Sequence, residues 1–222
     1  MVSSQFHYTK QNRFMPFLLA EILNFQGSTH RIGVGSFSIL VRTSNDFYKV
    51  YGNGEEASKG IPLFVFNYLD YLIWKEYSEN LRGEKSKMGS LERKLFFESL
   101  GCEDFGLKAF DQFYFSRTRR SLEHYYPQAT ADGKDGHLNK KQINCLGNYA
   151  MIGSEANSVG SNWSPKTKLD HYLDSSGKIN QISVASLKFM VMMQMCKDAD
   201  KWEYDEIKKH QEKMVSFLCD QK

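Results

Sequence analysis

SLEHYYPQ (residues 121–128) and LGNYAMIGSEAN (residues 146–157) are the two segments from which the fold of this chain can be deduced. The first ends a run over residues 111–126 in which aromatic and basic residues alternate, and such alternation predicts a strand. The second holds a short apolar run over residues 148–152, which predicts another strand. Residues 129–141, between them, are polar and rich in Gly and Asp, so we expect a loop there.

Segments with apolar residues at helical spacing surround these two strands. The predicted helices cover residues 14–25, 62–77, 91–100, 161–173, 182–196 and 204–218. A short run at residues 37–41 fits either a strand or a buried helical turn. The predicted fold class is therefore α+β, mostly helical, with a small strand–strand–helix motif embedded among helices. We expect a mainly helical N-terminal part over residues 1–110 and a second part over residues 111–222 that contains this motif and the C-terminal helices.

Composition indicates a soluble globular protein: 41% of the 222 residues are hydrophobic and 25% are charged. The net charge of +3 permits nucleic-acid binding without arguing for it. No apolar stretch reaches the roughly 18 residues of a membrane span, and no signal peptide is evident. The four cysteines are widely spaced without a CxxC pair, which argues against a structural zinc site and indicates a reducing compartment. We expect a cytoplasmic protein with no membrane partner.

Four polar residues in these segments have the chemistry of a hydrolytic site. Glu123 and His124 stand together at a predicted strand end, Asn148 follows a glycine, and Asn157 lies nine residues further on. A neutral histidine can take a proton from water, and Mg²⁺ prefers the oxygens that a carboxylate and an amide offer. An amide that both donates and accepts hydrogen bonds can hold the loop that carries the histidine. We therefore predict His124 and Asn148 as catalytic residues and Glu123 and Asn157 as metal ligands.

Basic residues flank these positions on both sides. Arg117, Arg119 and Arg120 precede them, and Lys166 and Lys168 follow. We predict that these five side chains contact the phosphates of a nucleic acid. An alternative for the three arginines is the solvent face of a strand, since Arg117 and Arg119 would point the same way.

The segment SLEHYYPQ, followed by LGNYAMIGSEANSVGSNWSPKTK, resembles the HNH (ββα-metal) nuclease domain at the C-terminus of GmrSD-type modification-dependent restriction proteins and their phage-defence relatives. The likeness covers about residues 110–175. It implies that His124 is the general base, that Asn148 is the second HNH position, and that Asn157 is a metal ligand or its neighbour. Glu123 stands where many HNH proteins have Asp, so it either ligates the metal or orients a lysine or arginine.

The resemblance implies a metal-dependent endonuclease that nicks or cuts DNA in defence against foreign or modified DNA. Mg²⁺ is the expected cofactor, with Mn²⁺ as an alternative. Full-length relatives carry a regulatory nucleotide-linked module with a DGQQR-like motif, which this chain lacks, so we expect such a domain or subunit as a partner. A second hypothesis is a degenerate HNH fold that binds DNA or a protein without cutting. A third places the functional surface on residues 1–110, as a docking site for a regulatory domain.

Overall fold

The computed structural model describes residues 45, 47–48, 61–81, 88–114, 121–153, 162–173 and 186–219. These residues form seven α-helices and one two-stranded antiparallel sheet, which confirms the predicted α+β class. In chain order the elements are α1 (Leu63–Asn80), α2 (Leu91–Leu100), α3 (Lys108–Gln112), β1 (Ser121–His124), α4 (Lys140–Ile143), β2 (Tyr149–Ile152), α5 (Pro165–Tyr172), α6 (Leu187–Ala199) and α7 (Tyr204–Cys219). No helix in this part of the chain is long and apolar enough to cross a membrane.

The β1–β2 hairpin fixes which side chains share a face of the sheet. Ser121 pairs with Ile152 and His124 with Tyr149, so the strands are in register along their whole length. Directly opposite residues of an antiparallel pair point to the same face, and successive residues point to opposite faces. His124 and Tyr149 therefore share one face, while Glu123 and its partner Ala150 share the other.

The hydrophobic core lies between β2 and the helices α1, α6 and α7. β2 packs on α1 and α6, and α7 contacts α1, α2 and α6. α6 is buried from Leu187 to Cys196, which places its four methionines, Met190, Met192, Met193 and Met195, in the core. One cluster of buried residues runs through the described part of the chain on both sides of residue 110, and the predicted division into two parts at that residue stays a prediction.

Most predicted elements are confirmed, and one prediction is wrong in part. α1, α2, α5 and α7 match their predicted ranges closely, β2 matches the second predicted strand, and α6 begins at Leu187, later than predicted. Within the predicted first strand, Ser121–His124 form β1, whereas Asp111 and Gln112 end α3, where the Tyr77 hydroxyl donates to the Asp111 carboxylate. Residues 14–25, 37–41 and 115–120 lie outside the described residues.

A lysine and a histidine are buried together where α6 meets α7. Lys188 Nζ lies 3.0 Å from His210 Nε2, and both side chains are fully buried. Asp70 of α1 faces them, accepting from the Lys188 backbone N–H (2.9 Å) and the Ser186 hydroxyl (3.3 Å). Burial lowers the pKa of Lys188 to about 7, although Cys145 and Asp70 act to raise it. Burial also holds the pKa of His210 well below its usual range, so this pair is uncharged at mildly alkaline pH.

This pair predicts a pH-dependent stability. The folded-state pKa of Lys188, about 7, is below the unfolded value near 10.5. Between these values the unfolded chain binds a proton that the folded chain does not, so the free energy of unfolding rises with pH, by at most about 1.4 kcal/mol per pH unit. Lys188→Met should be more stable than wild type at pH 7.5, and its advantage should shrink as the pH rises to 8.5. Urea unfolding at both pH values measures this difference, and a constant difference would contradict the prediction.

Candidate active site

His124, the last residue of β1, is held by two polar side chains on its face of the sheet. Its Nε2 lies 2.9 Å from the Oδ1 of Asn144, and the Tyr149 hydroxyl donates to the same oxygen at 3.1 Å. The imidazole also packs against the Tyr149 ring, with the two ring centroids 4.3 Å apart. One amide oxygen thus fixes the histidine and the tyrosine together.

The shared acceptor determines which imidazole nitrogen carries the proton. An amide oxygen can only accept, so in its contact with Oδ1 of Asn144 the His124 Nε2 is the protonated nitrogen and Nδ1 carries the lone pair. Nδ1 has no hydrogen-bond partner among the described residues. Burial lowers the pKa of His124, with a smaller lowering by the charge of Lys168, and the hydrogen bond to Asn144 opposes both. The neutral imidazole, which can accept a proton through Nδ1, is therefore favoured.

Asn148 closes the loop between β1 and β2 from inside the protein. Its Oδ1 accepts from the Tyr126 backbone N–H (2.8 Å), and its Nδ2 donates to the carbonyls of Tyr126 and Ile143, both at 3.1 Å. The side chain is fully buried. These hydrogen bonds are the ones that the predicted role of holding the loop that carries His124 requires, and that role stays a prediction.

Asn148 is supported by Trp202, which no sequence pattern marked, and by Gly147, the glycine of the predicted Gly-Asn pair. The Trp202 indole N–H donates to the Asn148 Oδ1 at 3.1 Å. Gly147 lies against α7 so closely that a Cβ there would be 2.2 Å from the Ile207 carbonyl oxygen. The Gly-Asn pair therefore has a packing reason: the glycine lets α7 approach, and the asparagine then fastens the loop.

Glu123 and Lys168 form a buried ion pair behind the histidine. Lys168 Nζ lies 2.5 Å from Glu123 Oε1, and both side chains are almost fully buried. Lys168 also donates to the backbone carbonyls of His124 and Tyr125. Burial raises the pKa of Glu123 and lowers that of Lys168, and in each group the partner's charge opposes the shift.

This ion pair bears on two predictions. Of the two alternatives for Glu123, the contact with Lys168 matches the one in which it orients a basic residue. The prediction that Lys168 contacts phosphate does not match its position, because its side chain is only 2% exposed and its ammonium faces the interior. α5 turns Lys168 inward together with Leu169 and Tyr172, which are also buried.

The remaining predicted residues divide into one on the surface and four outside the described part. Lys166 is exposed at the start of α5 and forms a surface ion pair with Asp200 at 3.5 Å. Asn157, Arg117, Arg119 and Arg120 lie outside the described residues.

The described residues do not by themselves make a metal site. Over the described ranges, no three His, Cys, Asp or Glu side chains converge as metal ligands would. Glu123 is engaged by an ammonium on the face of the sheet away from His124. It therefore does not fit the metal-ligand role that the resemblance implies.

Comparison with known proteins gives one match. A family model described as "GmrSD restriction endonucleases, C-terminal domain" matches residues 65–217. Neither the curated proteins nor the solved structures gave a match. The matched range covers most of the chain and includes the hairpin, α5 and the two C-terminal helices. The chain therefore belongs to the family of C-terminal domains of GmrSD restriction endonucleases.

Proposed function

We propose that this chain is an HNH endonuclease domain that hydrolyses DNA phosphodiester bonds in defence against foreign or modified DNA. The observation that carries the proposal is the geometry at His124: Asn144 engages its Nε2, and its Nδ1 has no hydrogen-bond partner among the described residues. Burial lowers the pKa of the imidazole and so favours its neutral form. A histidine in this state can act as the base for hydrolysis. Family membership supplies the reaction class, since these domains belong to restriction endonucleases.

In the proposed mechanism, Nδ1 of His124 takes a proton from the water that attacks the phosphorus. The Nε2–H group keeps its hydrogen bond to Asn144 and stabilises the imidazolium that forms. Asn148 holds the backbone of Tyr126, two residues after His124, so the chain that carries the imidazole stays in place when DNA binds. Lys166, which is exposed, and the three arginines before β1 are proposed to contact phosphates.

We propose Mg²⁺ as the cofactor, with Mn²⁺ as an alternative, because hard divalent cations accept phosphate and amide oxygens. When bound, such an ion supplies positive charge to the cleaved phosphate. Asn157 remains the proposed protein ligand. We also propose a regulatory nucleotide-binding domain or subunit as a partner and the cytoplasm as the compartment, where foreign DNA is met.

A second candidate function is a DNA-binding module that does not cut. The observation that favours it is the Glu123–Lys168 pair, which removes one predicted metal ligand from the site. A gel-retardation assay run beside a nicking assay separates the two functions. Retardation without nicking under every metal condition supports the binding module.

Chelation provides the first test of the nuclease. Supercoiled plasmid incubated with the protein in Mg²⁺ or Mn²⁺ should be converted to open circles, because the proposed cleavage depends on a divalent cation. EDTA should stop the conversion, and excess Mg²⁺ should restore it. Equal nicking with and without EDTA would contradict the metal-dependent function. A mock preparation from cells without the gene controls for contaminating nucleases.

Loss of the Asn144 amide tests how His124 is held. Asn144→Ala leaves Nε2 without its acceptor and leaves the tautomer free, so nicking should slow by about 10- to 100-fold. Tyr149→Phe keeps the ring that packs on the imidazole and removes only the hydroxyl, so its effect should be smaller. Initial nicking rates at matched protein concentration measure both. Asn139→Ala, which removes an exposed asparagine that caps α4, is the control, and equal rates for all four proteins would contradict the assignment.

A further inference from the structure

We infer that Glu123 and Lys168 form a buried lock that ties α5 to the end of β1 and positions the His124 peptide, and that Glu123 is not a ligand of the catalytic metal. The inference deepens the proposed nuclease function and rests on it for its activity readout. It assigns Lys168 a role different from the predicted phosphate contact, and it selects for Glu123 the alternative in which the carboxylate orients a basic residue.

The first support is that the Lys168 ammonium has all its partners inside the protein. It contacts the carbonyl oxygens of His124 (2.5 Å) and Tyr125 (3.2 Å) and the Glu123 carboxylate (2.5 Å). The two carbonyls take two of the three ammonium donors, and the carboxylate supplies the counter-charge. Two of the oxygens belong to successive peptides at the end of β1. Lys168 therefore fixes the backbone from which the His124 side chain projects.

The second support is the direction of the Glu123 side chain. Glu123 and His124 are neighbours in a strand, so their side chains leave it on opposite faces. Glu123 is buried opposite Ala150, on the side of α5, where its charge contributes to the raised pKa of Tyr172. His124 lies on the other face, against Tyr149. A metal bound by Glu123 would therefore lie across the sheet from the proposed base.

The third support is charge. A cation that bound the Glu123 carboxylate would compete with the ammonium already there and would leave a buried Lys168 without its counter-charge. Breaking one partner from a buried ion pair is strongly unfavourable, because the other charge remains buried and uncompensated. The Glu123 carboxylate can thus pair with Lys168 or bind a metal, but not both. It pairs with Lys168 in the structure, where the Lys168 and Glu123 side chains are 2% and 4% exposed.

The lock joins the third element of the strand–strand–helix motif to the first. Lys168 sits in the middle of α5, and Pro165 at its start accepts a hydrogen bond from the Tyr125 hydroxyl at 3.3 Å. The residue after His124 is therefore held from α5 at two points. A shift of α5 would move the peptide that carries the base.

The test compares Glu123→Gln, Lys168→Met and the double variant with wild type. Either single substitution leaves one charge buried alone, whereas the double variant removes both charges at similar side-chain volume. The lock predicts that each single variant has a lower urea midpoint than the double variant. Lys201→Met removes an exposed lysine that pairs with Glu203 and should leave the midpoint unchanged. A double variant that is less stable than both singles would overturn the lock.

The second readout separates positioning from metal binding. In the double variant, the Mg²⁺ concentration for half-maximal nicking should stay within about twofold of wild type, while the maximal rate falls because the His124 peptide is released. Loss of a metal ligand would instead raise that concentration by about tenfold or more. A rise of that size, or the same weakening of Mn²⁺ binding by calorimetry, would overturn the inference.

The two proposals fail in distinguishable ways. If wild type neither nicks plasmid nor binds Mn²⁺, the proposed function fails, and the urea midpoints alone decide the lock. If wild type nicks and the double variant needs about tenfold more Mg²⁺ for half-maximal nicking, the nuclease stands and the lock is wrong.

Discussion

Replacing His124 with alanine is expected to slow plasmid nicking by about 10²- to 10⁴-fold, the usual contribution of a general base. The reason lies in the geometry at the end of β1, where Asn144 and Tyr149 hold the imidazole and Nδ1 has no hydrogen-bond partner among the described residues. Alanine removes the only group at that position able to take a proton from water. The initial rate of conversion of supercoiled plasmid to open circles in Mg²⁺ measures the loss.

A second histidine provides the matched control for this substitution. His137 is exposed in the loop between the strands and contacts Asp132 at 3.2 Å. His137→Ala changes the same residue type nearby without touching the proposed base, and its nicking rate should stay within about twofold of wild type. If the two alanine variants lose activity equally, the assignment of His124 as the base is wrong.

Asn148→Ala is expected to destabilise the protein by about 3–5 kcal/mol, because it leaves several buried groups without partners. The backbone N–H and carbonyl of Tyr126, the carbonyl of Ile143 and the indole N–H of Trp202 all lose a hydrogen bond. Water cannot replace the amide easily at a fully buried position. Urea unfolding followed by circular dichroism measures the change, and tryptophan fluorescence reports on the surroundings of Trp202.

Asn139→Ala is the control for this prediction as well. Asn139 caps α4 from an exposed position, accepting from the backbone N–H groups of Lys141 and Gln142. Loss of such a cap costs about 1 kcal/mol. If Asn148→Ala lowered the free energy of unfolding by no more than Asn139→Ala does, the side chain of Asn148 would not be what holds the loop.

Periodicity in the sequence was enough to predict the elements that frame the site. α1 and α7 carry apolar residues at helical spacing over many turns, and each lies close to its predicted range. The short apolar run in β2 and Pro165 at the start of α5 were equally informative, because a brief buried strand and a proline-started helix have few alternatives. The loop-holding role predicted for Asn148 rested on its amide chemistry and on its place after a glycine.

The partners of His124 could not be predicted because they depend on strand register. Tyr149 meets the imidazole only because it is the residue directly opposite in the hairpin, and register is set by the folded pair of strands. Asn144, the other partner of His124, lies in the loop between the strands. The same holds for Asn148, because its partner Trp202 comes 54 residues later in the chain. No local pattern marks either residue as part of the site.

The role of Lys168 was wrongly predicted because two lysines on one short helix look alike in sequence. Lys166 and Lys168 lie two residues apart, about 200° around a helix, so they point to nearly opposite sides. Lys168 and Tyr172, four residues apart, share the buried face of α5. The spacing of Lys168 and Tyr172 was visible in the sequence. A lysine is expected to point inward, however, only where a buried carboxylate can pair with it, and the burial of Glu123 is a property of the folded hairpin.

The most direct test of the central claim measures cutting and binding on the same samples of wild type and His124→Ala. Plasmid retardation on a gel gives binding, and the initial rate of nicking in Mg²⁺ gives cutting. We predict that the two proteins retard the plasmid equally while the nicking rate of His124→Ala is lower by at least about 100-fold. Equal nicking rates, or a loss of nicking no greater than the loss of binding, would contradict the assignment of His124 as the base of a nuclease.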